Sequence, residues 1–244
     1  LDMRHASFTC SFNYLDKATV SYTYYALRQL PFTVLMDISV TAKKNIEITP
    51  ASVMEAPDAL RDVQNYYNEI DRPHVLISLL TSEAKSPTGK LLMCASNTFL
   101  FSEPHGEEPR VIHEMWDNNL HLMKFYKKIR AGETYHFSIA GTSITSAHHD
   151  DPLNEAERLT IFAKLQGRDR LIQFHNQAWD ELWKSDIKIE GDEQSQQDVH
   201  SMLYHLYSFS REGTALSLSP MGLSGLGYNG HVFWDADLWM FPAL

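Results

Sequence analysis

Between Gly222 and Pro242 the chain gathers His231, Phe233, Trp234, Asp235, Asp237 and Trp239 behind a run holding Gly222, Gly225, Gly227 and Gly230. Trp234 followed directly by Asp235 sets a flat aromatic face beside a carboxylate. That pair suits a sugar ring, whose C–H face lies on the indole while the carboxylate accepts hydrogen bonds from neighbouring hydroxyls. The glycines let backbone pass close to a ligand or a neighbouring helix. Asp235 stands at the start of an apolar, helix-like segment, where an Asp is ordinarily an N-cap. Asp237, two residues on, faces elsewhere on such a helix.

Other chemistry-bearing clusters have plainer readings. Gly225 to Gly230 fits G-x-G-x-x-G, but that fingerprint needs a preceding buried strand inside a βαβ unit, and Ser217 to Pro220 precedes it here. His148, His149, Asp150 and Asp151 are sequence neighbours that point in different directions, so a solvated loop is favoured over a metal site. Glu190 and Asp192 flank Gly191 as helix-start charges. Trp179 and Trp183 lie one helical turn apart, a spacing that fills an interface more often than it builds a sugar platform. No cofactor and no metal are expected.

Positioning these residues requires two kinds of element. The first half alternates with period two, the mark of half-buried strands. His5 to Tyr14 puts Phe8, Cys10, Phe12 and Tyr14 on one face, and Lys17–Tyr25 and Thr33–Val40 repeat the pattern. Ile46–Thr49, His74–Leu80, Leu91–Phe101 and Thr134–Ile144 are further strand candidates. Pro57 to Pro73 reads as an acidic surface excursion and Glu103 to Pro109 as a turn-rich loop. Many strands with polar connections indicate a β-sandwich. Around Asp151 the period changes. Asp151 then Pro152 is an N-cap followed by proline at the first helical position. A second helix is expected over Arg170–Lys184, an extended link over Ile187–Glu190, and a third helix opening at Asp192.

The 244 residues are 43% hydrophobic and 21% charged, the composition of a globular protein with room for one large domain or two ordinary ones. A net charge of −10 without a dense Lys/Arg run argues against a nucleic-acid partner, and no apolar run is long enough to span a bilayer. Cys10 and Cys94 make neither a disulfide framework nor a zinc signature and read as buried free thiols. The sequence does not separate a cytoplasmic from a periplasmic or secreted location. Its end at Phe241–Leu244, inside an apolar stretch with no polar tail, reads as a fragment of a longer polypeptide.

From His175 onward the chain resembles glycoside hydrolase family 65. The pieces that carry the resemblance are His175 to Trp183, Ile189 to Gln194, Leu203 to Tyr207, Ser217 to Leu223 and, most specifically, Tyr228 to Asp235. The N-terminal half matches only in architecture and in short pieces such as Leu1 to Arg4. The resemblance implies an N-terminal β-sandwich over 1–150, a helical linker over 151–190 and the first helices of an (α/α)6-barrel catalytic domain over 191–244. It also implies inverting hydrolysis or phosphorolysis of an α-glucoside substrate, and a homodimer.

By the same resemblance Trp234 and Asp235 bind the glucosyl unit, with Phe233 and His231 as wall or support. The general acid, the phosphate loop and the water-activating carboxylate of the family lie beyond Leu244, so no catalytic residue is expected in this chain. Inversion needs an acid and an opposing nucleophile on opposite faces of the sugar, which one half-site cannot supply. Ala236-Asp237 after the Trp-Asp pair resembles the hydrolytic branch that acts on kojibiose and glucosylgalactosyl units, where the phosphorylases more often carry Thr-Glu. The expected function is therefore an inverting exo-acting α-glucosidase. The alternatives are an inverting α-glucoside phosphorylase and, from another class, a non-catalytic carbohydrate-binding β-sandwich.

Overall fold

The computed structural model describes residues 1–211, 214, 217–222, 225 and 227–243. Among the described residues, twelve strands precede three α-helices: β1 Ser7–Tyr14, β2 Ala18–Ala26, β3 Thr33–Ala42, β4 Ile46–Ile48, β5 Ala51–Glu55, β6 Arg61–Arg72, β7 Val75–Lys85, β8 Leu92–Phe101, β9 Ile112–Met115, β10 Leu120–Lys124, β11 Lys127–Ile129, β12 Thr134–Thr145, α1 Pro152–Gln166, α2 Arg168–Leu182 and α3 Glu193–Phe209. By its contacts the chain forms two compact units, Phe8–Ile172 and Leu1–Ser7 with Gln173–Leu244, so the division falls within α2.

The larger unit is a β-sandwich. One layer is a seven-stranded sheet in the order β1-β2-β3-β12-β8-β7-β6, and the other is made of two small sheets, β5-β10-β9 and β11-β4. Alternation builds the core between them. Ile38, Val40, Leu80, Phe99 and Phe137 from the large sheet meet Met123 and Ile129 from the small ones and Phe125 from the link between β10 and β11, all buried. Phe125 stands edge-on to Phe99 and Phe137, with ring centroids at 5.0 and 5.1 Å. Aromatic pairs in that geometry contribute about 1 kcal/mol each beyond the area they bury.

Helix α1 packs on the opposite face of the large sheet. Its Asp151 cap accepts from Asn154 N at 3.1 Å, with Pro152 in the first turn. Small residues let it approach closely: Ala156, Thr160 and Ala163 are buried, and Thr160 Oγ1 donates to Ser96 O at 3.2 Å. Gly167 separates α1 from α2 at φ +77°, a left-handed conformation that suits glycine.

A polar relay crosses the interior between the two layers. His113 Nε2 donates to His121 Nδ1 (3.3 Å), His121 Nε2 donates to Ser82 Oγ (2.9 Å), and Ser82 Oγ donates to Asn65 Oδ1 (2.7 Å). Each donor has one acceptor, so the relay is satisfied with both imidazoles neutral. Tyr67 stacks on His113 with centroids 4.6 Å apart.

Most expected strands are present within a few residues of their limits. The segment Pro57 to Pro73 is corrected: it forms β6, the edge strand of the large sheet, whose side chains are polar because most of them meet water. Cys94 is buried as expected, but Cys10 is only half-buried.

Candidate functional site

In the smaller unit, residues 1–7 lie along α2 and α3. Buried His175 donates through Nε2 to the His5 carbonyl at 2.7 Å, and Trp183 Nε1 donates to the Arg4 carbonyl at 2.8 Å. Trp179, Leu203 and Tyr207 form the core, and Trp179 stacks on Tyr204 with centroids 5.6 Å apart. Trp179 and Trp183 are thus packing residues. The link to α3 is pinned by Gln196, which accepts from Ile189 N at 2.6 Å and donates to Ile187 O at 2.9 Å. Asp192 caps α3, accepting from Gln194 N and Ser195 N at 3.0 and 3.1 Å; its carboxyl is held below the usual range, first by the Ser195 hydroxyl.

The loop after α3 carries the candidate site. Tyr228, Asn229 and Gly230 are all left-handed, with φ of 58°, 50° and 75°. A non-glycine residue there is uncommon, and a run of them stores strain of the kind found where a ligand site is shaped. The turn sets His231, whose N and Nδ1 both donate to the Tyr228 carbonyl, at 2.9 and 2.8 Å. That places the neutral ring's proton on Nδ1 and leaves Nε2 as an acceptor. Tyr228 also meets Phe233 edge-on, with centroids 5.4 Å apart. Gly227 needs to be glycine for another reason: a Cβ there would lie 2.8 Å from Met221 Cγ.

Helical backbone begins at Trp234, runs as a π-turn over Ala236–Met240 and ends in a 3-10 turn over Phe241–Ala243. Single π-turns are frequent at functional sites. Trp234 is 78% exposed, and Asp235, in the first turn with helical φ −56° and ψ −33°, makes no side-chain capping bond. The ordinary structural use of an Asp at a helix start is therefore not taken up here. His231, Phe233, Trp234 and Asp235 all reach solvent around one helix start. The strained turn at Tyr228 is the feature that the residue types alone do not reveal; Asn229-Gly230 is its one local signal. Leu223, Ser224, Leu226 and Leu244, which belong to the sequence motifs above, lie outside the described residues.

Elsewhere, His148 Nδ1 bonds Thr145 Oγ1 at 3.1 Å and its ring lies 4.8 Å from Phe32. Among the described residues, no group of three or more His, Cys, Asp or Glu could hold a metal ion.

Residues 200–244 match the sequence model of the glycosyl hydrolase family 65 central catalytic domain. Over all 244 residues the chain is 71% identical to a kojibiose hydrolase of Mucilaginibacter mallensis and 54% identical to a kojibiose hydrolase of Flavobacterium johnsoniae. The chain belongs to glycoside hydrolase family 65. It spans 36% of the length of each of these relatives. The fold is shared with a putative kojibiose phosphorylase from the human microbiome, with a TM-score of 0.77 at 13% identity, over the whole of this chain and 32% of that one.

Proposed function

We propose that the chain is part of an inverting, exo-acting α-glucosidase, with a kojibiose-type α-glucoside as substrate. The observation that carries the reading is the pair Trp234–Asp235: an indole open to solvent beside a carboxylate that does not cap its helix. Stacking on the indole and hydrogen bonds to the carboxylate would hold the terminal glucosyl unit. Phe233 and His231 support that wall through the Tyr228 turn. The 71% and 54% identities to proteins named kojibiose hydrolase favour water over phosphate as the nucleophile.

In this reading residues 1–150 are the sandwich, 151–190 the linker and 191–244 the first part of an (α/α)6 barrel. The chain contributes the sugar-holding side of the site. By the family resemblance, the general acid and the group that activates water on the opposite face come from outside these residues; inversion needs those two groups several ångströms apart with water between.

The test uses the polypeptide that carries this chain. It is incubated with kojibiose, nigerose, maltose and trehalose, with and without inorganic phosphate, and the anomeric protons are followed by NMR. Free β-glucose from kojibiose without phosphate is the expected result. Phosphate-dependent release of β-glucose 1-phosphate would move the chain to the phosphorylases, and α-glucose as first product would overturn inversion.

A further inference from the structure

The sandwich carries an open groove that the site above does not use. It has a volume of about 710 Å³ and lies between the β1–β3 end of the large sheet and β4. That size falls within the range of small-molecule sites, roughly 300–1,000 Å³.

The two faces of β1 and β2 differ. On one face Thr9 meets Thr23 (2.9 Å), Ser11 meets Ser21 (2.8 Å) and Asn13 meets Thr19 (2.8 Å), a ladder of hydroxyls and an amide turned to water. The other face carries Phe8, Phe12, Tyr14, Tyr22 and Tyr24. It continues the core face of the sheet, since Val20 and Tyr22 pack against the buried core. Strands β4 and β11 are three residues each, and Phe12 and Tyr14 beside them stay 46% and 56% exposed. Phe12 stands edge-on to Tyr22 (6.4 Å), and Tyr22 to Tyr24 (5.4 Å), which fixes the rings as a platform.

The groove's polar groups select the ligand. Lys17, Lys44, Asn45 and Glu47 line it, Lys44 is paired with Asp16, and Glu47 lies 3.9 Å from Lys128. Asn45 is held in place by accepting from Ala131 N at 2.9 Å. No uncompensated cluster of one sign stands on this rim, so an anionic ligand gains little there. A fully apolar ligand would leave the polar rim without partners. Aromatic faces below and fixed donors and acceptors of both kinds above match a neutral ligand with one C–H face and an edge of hydroxyls.

We propose that this groove is a second carbohydrate site, separate from Trp234 and Asp235, which holds one to three neutral sugar units on Phe12 and Tyr14. It stands whether or not the chain belongs to a glucosidase acting on kojibiose. Its consequence is that a sugar is held by the sandwich without being cleaved there.

The test is saturation-transfer NMR on the polypeptide that carries this chain, with kojibiose and with maltotriose as probes. Transfer to sugar ring protons is expected in the native chain and in Trp234→Ala. On the Trp234→Ala background, where only the groove is left to hold sugar, adding Phe12→Ala/Tyr14→Ala should weaken binding at least about tenfold, whereas adding Phe12→Tyr/Tyr14→Phe, which keeps both rings, should leave it within about twofold. Because both side chains are half exposed, the ring-keeping variant also controls for folding. The proposal is overturned by no transfer with either sugar, by undiminished binding when the alanine pair is added to Trp234→Ala, or by loss of all binding in Trp234→Ala. Light scattering supplies another overturning outcome: a native dimer that the alanine double variant dissociates, without sugar binding, would make the groove an interface between copies.

Discussion

Arg168 grips Asp37 through two parallel bonds, Nε to Oδ1 at 2.6 Å and Nη2 to Oδ2 at 2.7 Å. The pair ties the first turn of α2 to the middle of β3, and Ser138 on β12 donates a third bond to Oδ1 at 2.9 Å. A planar guanidinium matches a carboxylate in this way and an ammonium does not. Asp37→Ala leaves the half-buried guanidinium and the buried Ser138 hydroxyl short of a partner. The cost should be about 1–2 kcal/mol, below that of a fully buried pair because water reaches Arg168. Urea unfolding at pH 7 checks it. A lower midpoint at unchanged slope is expected, and an unmoved midpoint would show the pair to be energetically idle.

His121 is fully buried, and burial followed by the neighbouring His113 pushes its pKa down to about 4. An unfolded histidine titrates near 6.5, so between about pH 6.5 and 4 the unfolded chain binds a proton that the folded chain does not. The neutral relay therefore contributes fully above about pH 6.5, and its contribution is lost as pH falls toward 4. Over that window the loss is on the order of 3 kcal/mol. Carboxylates add their own slope at the acid end, so the informative quantity is the difference between the native chain and His121→Asn. Unfolding free energies at pH 7.5, 6.5, 5.5 and 4.5 should converge for the two proteins as pH falls. Parallel curves would mean that His121 is not the group responsible.

The sandwich is legible in the sequence where one side of a strand is apolar and the other is not. Phe8, Cys10, Phe12 and Tyr14 mark β1 and its inward side correctly. How much of that side is covered depends on the reach of β4 and β11, and no local pattern carries that information. β6 is hidden for a related reason: an edge strand wetted along most of its length needs no apolar alternation, so Arg61–Arg72 reads as loop. The helix starts are plain because Asp151-Pro152 and Asp192 are local signals with local partners.

The site divides in the same manner. Trp234 and Asp235 are visible as residue types, whereas the left-handed turn at Tyr228 and Asn229 appears only in the backbone. The histidine relay leaves no trace in the chain order, since Ser82 and His121 are 39 positions apart and are joined only by the pairing of the two layers.

The two thiols should differ sharply in reactivity. Cys94 is buried, and burial first, then the nearby Glu83 and Glu157, pushes its pKa up to about 12, so almost no thiolate is present at neutral pH. Cys10 is half-buried on β1, the edge strand opposite β6. With a chromogenic disulfide at pH 8 the native chain should release one equivalent promptly, and Cys10→Ser should release almost none until urea is added. Rapid labelling of Cys10→Ser would mean that the Cys94 side of the sheet opens far more readily than its burial implies.

The strictest test of the proposed sugar contact separates affinity from stability. Trp234 is 78% exposed and Asp235 makes no capping bond, so neither side chain contributes much to the fold. Trp234→Ala and Asp235→Asn should each leave the thermal midpoint of the chain essentially unchanged, since exposed substitutions away from packing usually fall within about 0.5 kcal/mol. In the active polypeptide the same changes should lower kcat/KM for kojibiose by at least about a hundredfold, because each removes a direct partner of the glucosyl unit, one of them a charged acceptor for its hydroxyls. Asp235→Asn keeps one acceptor and gains a donor, so Asp235→Ala should be the more severe of the two. A variant with near-native kcat/KM would remove that residue from the site. A large fall in midpoint alongside lost activity would instead assign Asp235 to the fold, as the helix cap that its position first suggests.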